Sequence, residues 1–331
     1  MGCFVSTLVI AGYVITYGEY PLEFGQVYGI IWDHILNGPP SPDEPILFME
    51  DHVVWNLRLP RVIVAIVAGF GLAVAGAVMQ STLKNPMADS YTTGVSAGAA
   101  FGATLSIVLG VNIVSYDFSL VLNAFVFSLA PTMLIVVISR TRRLSSTSMI
   151  LAGLAVMYIF SAMTAALKLM AEPDALASLY RWQVGTLNNM TWDEVPVMLA
   201  VTAIGSIIIM FLSGKINILA SGDDDAKALG IDAQKLRVIC LVVVSLITAA
   251  IVSYTGTIGF VGLVSPHVAR IFIGSDNRYL IPASAFFGAL LMLASDFIGR
   301  VVLAPSVLEV GVVTAFIGGP MFLFLILRQH K

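Results

Sequence analysis

Charge is what this chain has least of. Of its 331 residues only 11% are Asp, Glu, Lys or Arg, where a soluble globular chain carries roughly a quarter. Set against 58% hydrophobic residues, that deficit excludes a soluble domain and puts the chain in the membrane class. Cysteine is nearly absent too. Cys3 and Cys240, both inside apolar runs, give no disulfide framework and no metal-ligand spacing. A net charge of −3 by itself says nothing about nucleic acid, but no basic patch large enough to bind it is present, so none is expected as a partner. The glycines at 69, 71 and 76 lack the following Lys-Ser/Thr of a phosphate loop, so no nucleotide site is legible.

Two further spellings fail in context. Gly94-Val95-Ser96-Ala97-Gly98 reads like a hydrolase nucleophile elbow, but that motif needs a strand-turn-helix setting with a histidine and an acid to follow, and here it opens a membrane helix. Met1-Gly2-Cys3-Phe4-Val5-Ser6 matches an N-myristoylation pattern, yet an integral protein gains nothing from a lipid chain. The first apolar run has no basic leader and no small-residue cleavage site, so no cleavable signal is expected. The chain starts abruptly inside that run, which suggests a short cytoplasmic lead ahead of it.

What is present is a succession of long apolar runs. A helix needs about 20 apolar residues, range ~17–25, to cross a bilayer. By that ruler ten spans are expected, near 2–18, 62–83, 94–114, 118–139, 149–170, 194–213, 238–257, 258–273, 280–303 and 309–327. With both termini cytoplasmic, twelve of the 17 Lys and Arg fall inside: Lys84, Arg140, Arg142, Arg143, Lys215, Lys227, Lys235, Arg237, Arg270, Arg278, Arg328 and Lys331. Only Arg58, Arg61, Lys168, Arg181 and Arg300 fall outside. This bias fits the positive-inside rule. The sequence therefore predicts one all-α polytopic domain over 1–331, with an external loop at 19–57 and a cytoplasmic segment at 213–237.

Ala65, Gly69, Ala73 and Ala77 recur every four residues, and Gly94, Gly98 and Gly102 repeat the device. Small residues at this spacing let membrane helices approach closely. The run Ile258 to Arg270 is apolar, broken by Gly259, Gly262 and Pro266, and ends on His267 and Arg270. Irregular backbone of this kind at membrane depth must face protein or a water-filled path.

The cytoplasmic segment holds one short helix. Asp223 can cap it, Asp224 and Asp225 favour its positive end, and Gly230 is a natural stop. Ala226, Leu229 and Gly230 form a small apolar face. The residues alone leave two readings open, an ordinary amphipathic loop and a docking helix for a cytoplasmic partner.

Several segments together resemble the FecCD-type permeases, the membrane subunits of ABC importers for iron-siderophores, haem and cobalamin. They are Arg58-Leu59-Pro60-Arg61, Gly76 to Gln80, Asn85-Pro86-Met87-Ala88-Asp89, Gly94 to Ala99, Arg142-Arg143-Leu144-Ser145, Gly222-Asp223 through Leu229-Gly230, Gly259 to His267, and Gly311 to Gly318. The likeness runs in order from about residue 55 to 327. It implies the type II ABC importer permease fold in a prokaryotic cytoplasmic membrane. It also implies a homodimer around a central pathway, two separate ATPase subunits beneath it and a substrate-binding protein outside. ATP and Mg would be bound by the ATPase, with no cofactor in this chain.

The resemblance assigns roles. The segment Gly222, Asp223, Asp224, Asp225, Ala226, Lys227, Ala228, Leu229, Gly230 matches the coupling helix that fits a cleft on the ATPase. Arg58, Arg61 and Arg300 match arginines that meet carboxylates of the binding protein. For Arg58 and Arg61 the residue-level alternative is snorkelling at a helix end. Ser145, Ser146 and Thr147 match a cytoplasmic gate, with a plain helix cap as the alternative. The fifth, eighth and tenth spans would line the pathway, Gly259–His267 would form the external turn after the seventh span, and His267 would be structural rather than a metal ligand.

Two departures stand out. Val307-Leu308-Glu309 precedes Val310 where the family has Glu-Leu-Pro, and Ser90 replaces a proline. The expected cargo is an iron(III)-siderophore, with cobalamin, haem or molybdate/tungstate as alternatives. A secondary transporter would need buried acids near the midplane, whereas Asp296 and Glu309 fall toward outer span ends.

Overall fold

The computed structural model describes residues 2–18, 20–115, 118–141, 145–188, 190–304 and 306–329, and every regular element among them is helical. Helix α1 spans Gly2–Thr16. The expected external loop then folds into α2 (Phe24–Asn37), α3 (Pro45–Asp51) and a π-helical stretch, His52–Arg58, that runs without a break into α4 (Leu59–Leu83). There follow α5 (Val95–Leu109), α6 (Ser119–Thr141), α7 (Ser146–Lys168), α8 (Pro173–Val184) and α9 (Val195–Ser221). The chain ends with α10 (Asp223–Ala228), α11 (Ala233–Thr255), α12 (Val261–Ile273), α13 (Asn277–Val302) and α14 (Val310–Gln329). Among the described residues six helical stretches are long and apolar enough to cross a membrane, and four shorter apolar helices, in α1, α5, α12 and α14, lie where the remaining spans were expected.

Helix α4 is the hub, packed against α9, α11, α12 and α13. Its small residues are the reason. A Cβ on Gly69 would strike the carbonyl of Gly288 in α13, and one on Gly76 would strike the carbonyl of Gly262 in α12. Backbones touch directly there, which is how helices gain packing energy where lipid removes the hydrophobic drive. Gly98 and Gly102 bring α5 onto α6 in the same way.

The turn at 256–260 corrects the sequence reading. It was expected at the outer surface, but Gly262 lies beside the carbonyl of Leu72, about 20 Å along α4 from Leu59. The turn is therefore sunk within the bundle, and α12 is a half-length helix of 13 residues. Buried backbone at this depth needs internal partners. The amide of Ile258 donates to the Tyr91 hydroxyl at 3.0 Å, and the Thr257 hydroxyl donates to the Gln183 carbonyl. Phe260 takes a left-handed backbone (φ 68°) that a glycine would adopt more easily. Its ring lies on Gly318 and Gly319 of α14.

Helix α9 also departs from expectation. It continues to Ser221, two turns past residue 213. Asn217 holds those turns by bonding Asp276 (2.6 Å) and the amide of Asn277 (2.8 Å). Ile216 and Leu219 of the same turns are fully buried in the core, so the extension is held by apolar packing as well.

Candidate functional sites at the two ends

At one end of the bundle, α10 stands between α9 and α11. Its sequence-assigned cap is wrong in detail. Gly222 occupies the N-cap position without any side-chain cap bond. The Asp223 carboxylate instead accepts from Arg237 Nη1 (3.0 Å) and Nη2 (2.5 Å) and from Lys84 Nζ (2.9 Å). Arg237 is buried, and its Nε donates to the Thr82 carbonyl at 3.1 Å. Lys84 is the left-handed C-cap of α4 (φ 52°). One carboxylate thus ties α10 to the end of α4 and the start of α11. The two cations hold the Asp223 carboxyl at about 2, below its ordinary 3.8.

Ala226 is the buried contact of α10, while Leu229 is 65% exposed. Asp224, Asp225 and Lys227 are exposed as well. Gly230 (φ 74°) stops the helix as expected, its amide donating to the Lys227 carbonyl at 3.0 Å. The expected apolar face is therefore split, with Ala226 turned inward and Leu229 outward.

Ser145 caps α7, its hydroxyl accepting from the Ser148 amide at 3.2 Å. Ser146 is half-buried and Thr147 exposed in the first turn. Ser145 shares a cleft of about 700 Å³ with Asp223, Asp224, Lys227, Gln234 and Arg237. The serine turn and α10 face the same space. Arg142, Arg143 and Leu144 lie outside the described residues, as does Lys331. Lys84, Arg237 and Arg278 gather at this end, and Arg270 reaches Gln80 at 3.2 Å.

At the opposite end the three expected arginines converge, but not as displayed charges. Arg58 is buried, and its guanidinium donates to the carbonyls of Ile15 (3.1 Å), Thr16 (3.0 Å) and Tyr20 (2.5 Å). These bonds take three of its five N–H donors and tie it to the end of α1, so it is set into the fold rather than displayed. Arg61 donates Nε and Nη2 to Asp296 Oδ1 (2.9 and 2.7 Å) and Nη1 to Asn188 (2.8 Å). Arg300 pairs with Asp296 Oδ2 at 3.1 Å and donates to the Tyr17 carbonyl. Asp296 is buried between them. Asn188 donates in turn to Glu309 at 3.2 Å, so the displaced acid of Val307-Leu308-Glu309 belongs to this network.

Sequence reasoning missed Asp296 and Asn188 as partners. An acid within an apolar helix facing two helix-end arginines is the signal that pointed there. His267 lies edge to face against Phe322, ring centroids 6.3 Å apart, and no metal-ligand grouping is found among the described residues.

Residues 6–328 match the FecCD transport family. An archaeal chain from Methanocaldococcus jannaschii, provisionally named an ABC transporter permease protein, is 38% identical, covering 96% of this chain and 91% of its own length. The hemin transport system permease protein of Yersinia pestis is 35% identical over 85% of this chain and 84% of its own. Among solved structures, an inward-facing transporter provisionally classed as a metal-chelate type ABC transporter superposes with a TM-score of 0.85. It is 27% identical and covers 99% of this chain and 98% of its own. The chain belongs to the FecCD transport family. It is a multi-pass protein of the inner membrane and a transport subunit, not a catalyst.

Proposed function

We propose that this FecCD family member is the permease of an ATP-driven importer for a metal chelate, iron(III)-siderophore being the cargo class that the reading favours. Haem, cobalamin or molybdate/tungstate are its alternatives. The names of the relatives support import of a chelate, a hemin permease and a metal-chelate type transporter being among them. Two copies would enclose the pathway, each contributing ten spans with both termini inside. The second copy would lie against an exposed apolar helix face such as that of α7 (Leu151, Tyr158, Ile159) or α14 (Phe316, Leu323), the other faces meeting lipid.

In this reading the ATPase docks on α10. The carrying observation is that Asp223 braces α10 to α4 and α11 while Leu229 stays exposed. A partner that moves α10 would move the hub helix with it, a rigid-body transition. The same cleft holds Ser145 at the start of α7, so displacement of α10 reaches the cytoplasmic gate formed by Ser145, Ser146 and Thr147. At the outer end, Arg61 and Arg300 share one carboxylate, Asp296. A binding protein's acids would compete with Asp296 for these guanidinium groups.

Cysteine cross-linking tests the docking surface. A Leu229→Cys chain should cross-link to its ATPase, whereas the same exchange at exposed Leu169, near the opposite end, should not. Cross-linking at Leu169 with none at Leu229 would put the ATPase on the wrong end and end this reading.

A further inference from the structure

The segment between α1 and the π-helical stretch has no Lys or Arg from Tyr20 to Leu57, yet it is rich in aromatic and aliphatic side chains. Helix α2 carries two apolar faces. Val27 is fully buried, and Ile30 and Ile31 pack on the core. A second flank, Phe24, Tyr28, Trp32, Ile35 and Leu36, is uncovered, with Trp32 62% exposed. At helical spacing these residues form one stripe beside the buried face. Gln26, Asp33 and Asn37 make a narrow polar strip on the other side. Helix α3 adds four consecutive exposed apolar residues, Ile46 to Met49. An apolar patch of this extent marks a binding surface.

Its depth is fixed by α1. The Tyr28 hydroxyl lies against Gly12, one turn before α1 ends at Thr16. Helix α2 therefore lies beside the last turn of α1, not beyond it. Leu8, Val9 and Tyr13 of α1 are exposed too, so the uncovered flank continues the bilayer-facing surface of a spanning helix. His34 stacks on Trp55 at 3.9 Å, and Trp192 donates to the Trp55 carbonyl at 2.9 Å. Aromatic side chains of this kind collect at the membrane–water boundary.

We propose that α2 and α3 form an interfacial hairpin whose uncovered flank is sunk into the lipid acyl chains of the leaflet at the far end of α1 from α10. Only the placement of α1 in a bilayer is required, so the inference stands apart from the transport reading. The segment's acids, Glu23, Asp33, Asp43, Glu44, Glu50 and Asp51, are accompanied by no Lys or Arg that could attract anionic headgroups. Insertion is therefore apolar, and independent of anionic lipid.

The test uses the full chain in nanodiscs of phosphatidylcholine, with a nitroxide at Ile35→Cys on the flank or at Asp33→Cys on the polar strip, in a Cys3→Ser background. Oxygen should relax the label at 35 more than an aqueous nickel chelate does, with the order reversed at 33. Replacing part of the lipid with phosphatidylglycerol should change neither. In parallel, brominated phosphatidylcholine should quench fluorescence of the native chain more than that of a Trp32→Phe chain. Preferred access of nickel to position 35 would show a flank in water and overturn the proposal. So would shielding of that position from both reagents, which would mean that a second copy or another protein covers it. Equal quenching of the native and Trp32→Phe chains would count against it independently of any labelling.

Discussion

Arg237 and Asp223 are joined by two hydrogen bonds, at 3.0 and 2.5 Å, across the junction of α11 and α10. The arginine is buried and bonded to the last turn of α4, while the aspartate side chain is half exposed. A short helix at the end of the bundle is thereby fastened to its most interior helix through one carboxylate, which Lys84 also holds.

Replacing that carboxylate tests the brace. Asp223→Asn keeps the size of the side chain but removes its charge. Because one partner is buried and the other exposed, the loss is about 1–2 kcal/mol, roughly tenfold in local opening. Hydrogen exchange of the amides of α10 should speed up by about that factor, while α13 stays protected. Unchanged exchange in α10 would mean that the ion pairs hold nothing.

The same pair sets a pH dependence. The Asp223 carboxyl sits at about 2 when braced and near its ordinary 3.8 when released. The released form binds protons more readily, so the stabilisation is complete above about pH 4 and is lost as the pH falls toward 2. Exchange protection in α10, corrected for intrinsic rates, should be flat through neutral pH and drop only on acidification below about 4. A drop already between about pH 7 and 5 would assign the control to another group.

Much of this fold was legible because bilayer crossing demands long apolar runs, and loops between them stand out. The apolar run 62–83 that became most of α4, the small residues Gly69 and Gly76, and the stop at Gly230 follow from local chemistry that the sequence prints directly. Partners distant in the chain were not legible. Nothing near Asp223 announces Arg237 and Lys84, and nothing near Arg58 shows that its charge is used by the end of α1. The depth of the 256–260 turn was also hidden, since hydropathy reports that a segment is apolar, not where along α4 it lies. Helices α2 and α8 escaped notice for a related reason. Their apolar residues are interspersed with polar ones, too few in a row to read as spans.

Arg58 now reads as a structural residue. Arg58→Ala leaves three carbonyls at the end of α1 without a donor, a loss of about 2–3 kcal/mol. The melting temperature of the detergent-purified chain should fall accordingly. An Arg58→Ala chain with native melting but weakened binding-protein docking would restore the docking role.

Asp296 holds two guanidinium groups apart from each other. Asp296→Asn removes the charge they share and leaves Arg61 and Arg300 facing each other, at a loss of about 3–5 kcal/mol. The thermal melt should show a larger drop than Asn188→Ala, which removes one neutral acceptor of Arg61 and the outer link to Glu309 but leaves the shared charge in place. Equal drops would mean that the carboxylate contributes no more than a hydrogen bond.

Uptake by sealed vesicles tests the transport claim most directly. The chain is reconstituted with ferric siderophore outside, with and without its ATPase subunit, ATP and Mg inside. Accumulation should require the ATPase and the nucleotide together, and should fall to background when Leu229→Asp spoils the exposed tip of α10. Accumulation by the chain alone under a proton or sodium gradient would contradict the account.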